Sequence, residues 1–174
     1  NKKIIFFGSL SYEPNLSAIF WLLKNVMPDV WEKDPSIILN IAGRNPPNKL
    51  INTCKNNKNI LLIPNPNSMS ECIRECCIAV APLISGSGQQ FKIIEAMANG
   101  LPVISTKKGA SPFGFVNQKD LIIEDNPNKF ADSLVSLAND NDKQQFLRKN
   151  ALENISNNYE WEVLVKKLEN DIYI

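Results

Sequence analysis

The sequence contains no histidine. That removes the commonest general base and the commonest metal ligand, so an enzyme built on this chain takes its base from a carboxylate or from another domain. Cysteine is scarce, with four in 174 residues. Cys72, Cys76 and Cys77 crowd one segment with no second cluster. Zinc sites usually draw on two ligand pairs, so neither a metal site nor a cofactor is expected. Cys72 and Cys76, four residues apart on an expected helix, read as buried thiols of a reducing compartment. No apolar run approaches the ~20 residues of a membrane span, and no secretory signal is visible. Net charge is only +1 and no basic run exceeds two residues, which argues against nucleic acid as a partner. The chain opens at Asn1 without a methionine and is expected to be an excerpt of a longer protein.

What is present suits one globular domain over residues 1–174, with 44% hydrophobic residues to bury. The most informative stretch runs from Val80 to Thr106. Ile78 to Leu83 is an apolar run of strand length, broken by Ser85-Gly86-Ser87-Gly88. Phe91, Ile94 and Ala98, with Ile93 and Met97, recur at helical spacing; Gly100 and Pro102 end that helix before Val103-Ile104. A small-residue loop feeding a helix exposes backbone N–H groups in front of the positive end of the helix dipole, a geometry that suits phosphate or diphosphate. Glu95, read as two turns inside the helix, is placed to accept hydrogen bonds from sugar hydroxyls. A Gly-x-Gly loop is equally an ordinary turn, and Glu95 equally a solvated carboxylate.

Strands are expected at Lys3–Phe7, Ile37–Ala42, Ile60–Ile63, Ile78–Leu83, Val103–Thr106 and Leu121–Ile123. Helices are expected at Leu16–Val30 (capped by Asn15 or Ser17, ended or kinked by Pro28), Lys49–Cys54, Ser68–Cys77 with a Ser68/Glu71 capping box, Asn126–Ala138, Lys143–Ser156 and Trp161–Asn170. Lys107–Gly114 reads as a loop. This alternation predicts an α/β fold, a Rossmann-like, doubly wound, six-stranded parallel sheet with C-terminal helices. Its ligand crevice should lie outside the carboxyl ends of the strands, where strand order reverses.

Val80-Ala81-Pro82-Leu83 through Gly86-Ser87-Gly88, then Lys92 to Thr106, together resemble the C-terminal, nucleotide-sugar-binding domain of GT-B fold glycosyltransferases of the family 4 (group 1) type. Gly8-Ser9-Leu10, Pro14-Asn15, Ile41 to Arg44, Gly109-Ala110 and Asn158 to Trp161 support the resemblance, which covers essentially the whole chain. It implies that Glu95 holds a nucleotide ribose and that amides of Gly86, Ser87, Gly88 and Gln89 meet the diphosphate or donor sugar. It also implies that Gly8 and Ser9 border the cleft and that Pro64 frames the base. Arg44 is a candidate for the rim, and equally an ordinary surface residue. Ser87 stands where many members carry a first glutamate, with seven residues between it and the second, and Ser9 and Asn15 stand where many carry arginine and lysine. Lys92 is a candidate substitute for that lost positive charge, or else an i, i+3 partner of Glu95.

The function implied is transfer of a sugar from a nucleotide-diphosphate donor to an acceptor glycan, lipid or other hydroxyl compound. The transfer is expected to be retaining, without metal or cofactor, and to require an N-terminal domain of the same enzyme. Catalytic residues are expected mainly on that domain, and the isolated chain is expected to bind nucleotide without turnover. The cytoplasm is the expected location, with peripheral attachment at the inner membrane face through the other domain. A degenerate, non-catalytic module of cell-surface polysaccharide assembly is the alternative. A sugar-nucleotide 2-epimerase would want histidine. A dinucleotide dehydrogenase would want Gly-x-Gly-x-x-Gly after the first strand, where Gly8-Ser9-Leu10-Ser11-Tyr12 stands.

Overall fold

A computed structural model describes residues 2–86 and 91–159. In it, β1 (Lys3–Phe7), β2 (Ile38–Gly43), β3 (Ile60–Pro64), β4 (Ile78–Ala81), β5 (Val103–Ser105) and β6 (Ile122–Ile123) form one sheet in the order β3-β2-β1-β4-β5-β6. Every pairing is parallel, with Phe6 opposite Ile41 across β1/β2 and Ile4 opposite Ile78 across β1/β4. Strand order reverses between β1 and β4, the switch point the alternation predicts.

The helices are α1 (Glu13–Asn25), α2 (Met27–Lys33), α3 (Asn48–Lys55), α4 (Met69–Arg74), α5 (Phe91–Ala98), α6 (Lys107–Ala110), α7 (Pro127–Asn139) and α8 (Asn141–Tyr159). Side chains alternate across β1. Ile4 and Phe6 enter a core shared with α1, α2, α3 and α7, through Ile19, Leu22, Val30, Leu50, Phe130 and Leu134. Ile5 and Phe7 enter the opposite core with Ile73 of α4, Ile93 and Met97 of α5 and Ala151 of α8. Both faces of the sheet are therefore covered, which is why its strands are continuously apolar rather than alternating. Trp21 packs edge-on to Phe130 at 5.8 Å between ring centroids and ties α7 to α1.

Several boundaries differ from the sequence expectation for local reasons. The first helix starts at Glu13, with Pro14 in its first turn, and is interrupted at Val26, so Met27–Lys33 is a separate helix. Pro28 cannot donate to the carbonyl of Lys24 and its ring would crowd it. Neither Asn15 nor Ser17 caps α1: Tyr12 is the N-cap, without a side-chain bond. The α4 helix ends at Arg74 because Cys77 already donates its N–H to Lys3 O (2.8 Å) as the chain joins the sheet. Cys76 therefore lies beyond the helix, buried, and desolvation pushes its thiol up to about 12. β4 stops at Ala81, where Pro82 follows and Leu83 N–H turns back to Ala81 O. Lys107–Gly114 is not a loop: Thr106 caps the single turn α6, and a 3-10 turn, Ser111–Phe113, follows. The expected Ser68 cap forms, to Glu71 N–H, and Asn126, expected as the first helical residue, instead caps α7 by accepting from Asn128 and Lys129 N–H. The expected helix over 161–170 lies outside the described residues. Among those described, no helix is long and apolar enough to cross a membrane.

Asp34, at the end of α2, accepts from Lys2 Nζ (2.7 Å), Asn139 Nδ2 (3.2 Å) and the N–H of Ser36 (3.1 Å), joining the start of β1 to the end of α7. The hydrogen bond from Lys2, then that from Ser36, holds its carboxyl well below the usual carboxylate range. A depressed native pKa contributes stability that is present above the unfolded pKa and is lost as pH falls through about 4 and below. In urea unfolding at pH 7 and pH 3, Asp34→Asn is expected to lose less stability on acidification than the parent chain. Equal losses would mean that Asp34 carries no pH-dependent stability.

Candidate functional site

The carboxyl edge of the sheet is built by backbone first. Gly8 N–H donates to Ala42 O (3.1 Å), Leu10 N–H to Arg44 O (2.8 Å) and Asn65 N–H to Gly43 O (2.8 Å). Asn45 and Asn65 both take left-handed backbone, and Asn65 Oδ1 accepts from Asn45 N–H (3.0 Å). The loops after β1, β2 and β3 are thus laced into one rim. Pro64 closes β3 on that rim and is exposed. The Arg44 guanidinium is exposed on it and pairs with no carboxylate among the described residues.

On the other side of the switch point, Ser105 Oγ donates to Ala81 O (2.9 Å) and Thr106 Oγ1 to Leu83 O (2.6 Å). These buried hydroxyls set the direction in which the chain leaves β4 for the glycine loop. From the sequence they are expected only as strand residues; their position at the end of β5, opposite a Pro-Leu exit from β4, is the signal that points to this role. Gly86 has φ +93°, and a Cβ there would meet Pro14 Cβ and Cγ at 3.0 Å, so Gly86 lies against the first turn of α1. Ser87, Gly88 and Gln89 lie outside the described residues. At the far end of α5, Gly100 N–H bonds Met97 O and Leu101 N–H bonds Ala96 O, a Schellman cap with Gly100 at φ +76°.

Lys92, near the start of α5, reaches across the switch point to β1 and α1. Its Nζ lies 4.3 Å from the centroid of the Phe6 ring and donates to Asn15 Oδ1. Asn15 is buried, and its Nδ2 donates to Ser9 O (2.8 Å). Gly8, at φ +140°, leaves the room: a Cβ there would sit 3.4 Å from Lys92 Nζ and 3.1 Å from Asn15 Nδ2. Lys92 therefore forms no ion pair with Glu95, and the i, i+3 pairing is not made. With an aromatic face and an amide oxygen for partners, burial pushes Lys92 down to about 7. A cation over an aromatic ring gains about 0.5–2 kcal/mol, less than a buried ammonium loses in hydration. Glu95 stands one turn after Phe91, the first described residue of α5, and is exposed. Partial shielding of its carboxyl raises its pKa.

Lys92, Gly8 and Ser9 are thus joined at the switch point through Asn15, with Gly86 against Pro14 beside Asn15 and Glu95 one turn along the same helix, while Arg44 and Pro64 stand on the rim. Asn15, expected as a helix cap, is instead the residue that joins the two sides. A separate cavity of about 390 Å³, lined by Ile51, Cys54, Ile60 and Leu62, lies against α3 and β3 and reaches the rim only at Pro64.

The family model described as glycosyl transferases group 1 matches residues 1–140. An uncharacterized 44.6 kDa protein in the cps region of Klebsiella pneumoniae is 27% identical over 168 residues, 92% of this chain and 43% of the relative. A mutant of S. aureus TarM, solved with fondaparinux, alpha-GlcNAc-glycerol and UDP, superposes with a TM-score of 0.81 at 21% identity over 97% of this chain and 35% of that one. The C-terminal domain of a glycosyl transferase group 1 family protein (LpcC) from Francisella tularensis superposes with a TM-score of 0.70 at 20% identity, covering 91% of this chain and 86% of that one. The chain spans less than half the length of the curated relative it matches.

Proposed function

Because the chain belongs to the glycosyl transferases group 1 family, and has the C-terminal, Rossmann-like half of a GT-B fold, we propose that it is the donor-binding half of a glycosyltransferase. The observation that carries the reading is the β1/β4 switch point, where a part-buried lysine with no ion-pair partner among the described residues stands over Phe6 and against Asn15, with Glu95 one turn along α5. A nucleotide-diphosphate sugar fits these parts. Glu95 accepts from the ribose hydroxyls. Amides of the loop from Gly86 into α5 meet the diphosphate, with the helix dipole behind them. Lys92 supplies positive charge where Ser9 and Asn15 are neutral, and Pro64 and Arg44 border the base side.

The reaction is transfer of the sugar to a hydroxyl of a glycan, lipid or other acceptor presented by an N-terminal domain of the same protein, which closes the crevice and excludes water. Amides, dipole and Lys92 stabilise the leaving diphosphate, the role a metal plays in other transferases, and the anomeric configuration is retained. The cps-region relative supports a role in polysaccharide assembly; work in the cytoplasm or at the inner membrane face is part of the proposal. UDP is the first nucleotide to test, because it occupies the TarM neighbour.

Calorimetric titration of the chain with UDP, GDP, ADP and CMP tests the reading. One diphosphate is expected to bind, and Glu95→Ala to weaken it about 10- to 100-fold, the equivalent of hydrogen bonds to a charged group. No binding by any of the four, with the chain shown folded, would overturn donor binding in favour of a non-catalytic module.

A further inference from the structure

Lys92 has a feature that donor binding alone does not require. Its ammonium is already housed. It sits over Phe6 of β1, bonds Asn15 of α1, and abuts the space that Gly8 leaves open. No carboxylate among the described residues forms an ion pair with it. The groups that face it from β1 and α1, namely Phe6, Gly8 and Asn15, do not titrate. The titratable groups nearest to the cradle residues along their own elements are Glu95, one turn after Lys92 on α5, and Tyr12 and Glu13, which precede Asn15 at the start of α1. None of the three bonds it, and Glu13 is taken by Ser17 Oγ (3.0 Å).

Resting on the donor-site reading, we infer that Lys92 is a mobile counter-charge for the donor diphosphate: without ligand its ammonium lies in the Phe6–Asn15 cradle, and a bound diphosphate draws it out and holds it protonated. The cradle is a weak competitor, since a neutral amide oxygen and a ring face attract an ammonium less than a diphosphate does. Leaving it also returns the charge to a solvated, paired setting. In the cradle, burial keeps the group near half-protonation at about pH 7. Paired with phosphate it stays charged to higher pH, so binding takes up a proton from solvent. Donor release returns the lysine to the cradle and the proton to water.

Calorimetry of UDP binding at pH 8, in buffers of different ionisation enthalpy, tests this. Uptake of close to one proton per UDP is expected, with affinity falling about tenfold per pH unit above pH 7. Lys92→Met keeps the apolar stem and is expected to bind UDP at least tenfold more weakly, with no uptake. Should Lys92→Met fail to fold, the 13Cε resonances of the unsubstituted chain serve instead: one lysine titrates near pH 7 and moves upward when UDP is added. Tight UDP binding without proton uptake, or uptake that persists in Lys92→Met, overturns the mobile counter-charge and leaves donor binding standing. Absence of UDP binding overturns the donor reading, and this inference with it.

Discussion

Gly43→Ala is expected to destabilise the chain by about 3 kcal/mol or more, or to prevent folding, because the added methyl has nowhere to go. A Cβ at Gly43 would overlap the carbonyl oxygen of Gly8 and lie 2.8 Å from Leu10 Cγ. The first obstacle is backbone, not the end of a flexible side chain. That backbone is held: Gly8 N–H bonds Ala42 O, Leu10 N–H bonds Arg44 O, and Gly43 O accepts from Asn65 N–H. Relief would require β1 and β2 to part at the carboxyl edge, breaking those bonds within a sheet centre that is otherwise fully packed. Ordinary overpacking costs about 1–3 kcal/mol where side chains can yield, and contact with fixed backbone lies at or above that range. Urea unfolding of the two chains measures it. The same experiment on Gly114→Ala is the control. Gly114 has φ +66° but open space around its Cβ position, so only backbone strain of about 1 kcal/mol is at stake. A Gly43→Ala loss no larger than that of Gly114→Ala would mean the edge gives way readily.

The fold was legible because its signals are local and agree with one another. Short apolar runs separated by amphipathic stretches gave six strands, and the structure pairs all six in parallel. Ser68, Asn126 and Gly100 were readable as helix ends because capping depends on residues within a few positions. What was misplaced depends on contacts from elsewhere in the chain. The end of α4 is decided by Cys77 joining Lys3 across the sheet, more than seventy residues away in sequence. The break at Val26 falls two residues ahead of Pro28, because the disturbed hydrogen bond belongs to the preceding turn. The turn α6 was hidden by Gly109, a poor helix former that is tolerated there because a Cβ would run into Ser105 Oγ and Ala81 O.

The site divides the same way. The glycine loop and the helix after it were readable as a unit, since loop, helix and stop are contiguous. Lys92 was singled out, but its partner was not: spacing suggested Glu95, three positions on in one helix, because neighbours within a helix are the geometry a sequence displays. The structure turns the side chain inward to Asn15 and Phe6, one expected as a helix cap and the other as the end of the first strand, without reference to each other. Asn15 was read as a cap, a reasonable role for asparagine beside a proline, yet both of its polar ends are taken up in joining Ser9 to Lys92.

That double use makes Asn15 the most revealing place to change one atom. Asn15→Asp keeps the acceptor that faces Lys92 and adds a negative charge to it, turning a weak cradle into a buried ion pair. Two consequences oppose a donor. The ammonium now gains little by leaving, and the new carboxylate stands close to where the diphosphate approaches. UDP affinity is therefore expected to fall on the order of 100-fold, about 2.7 kcal/mol, within the range for hydrogen bonds to charged groups that are lost or redirected. Proton uptake is expected to vanish as well, because a lysine paired with a carboxylate is charged before and after binding. Stability should change less than affinity: the lost Nδ2 bond to Ser9 O costs about 1 kcal/mol, and the stronger pair to Lys92 offsets part of it. Asn15→Ala separates the causes. It removes the cradle without adding charge, so Lys92 is freed, and UDP affinity should stay within about tenfold of the parent while stability falls by about 1–2 kcal/mol. If both variants bound UDP equally well at pH 8, Lys92 would not be exchanged between Asn15 and the diphosphate. A large loss confined to Asn15→Asp, with proton uptake abolished, is the pattern that a counter-charge shared between cradle and ligand must produce.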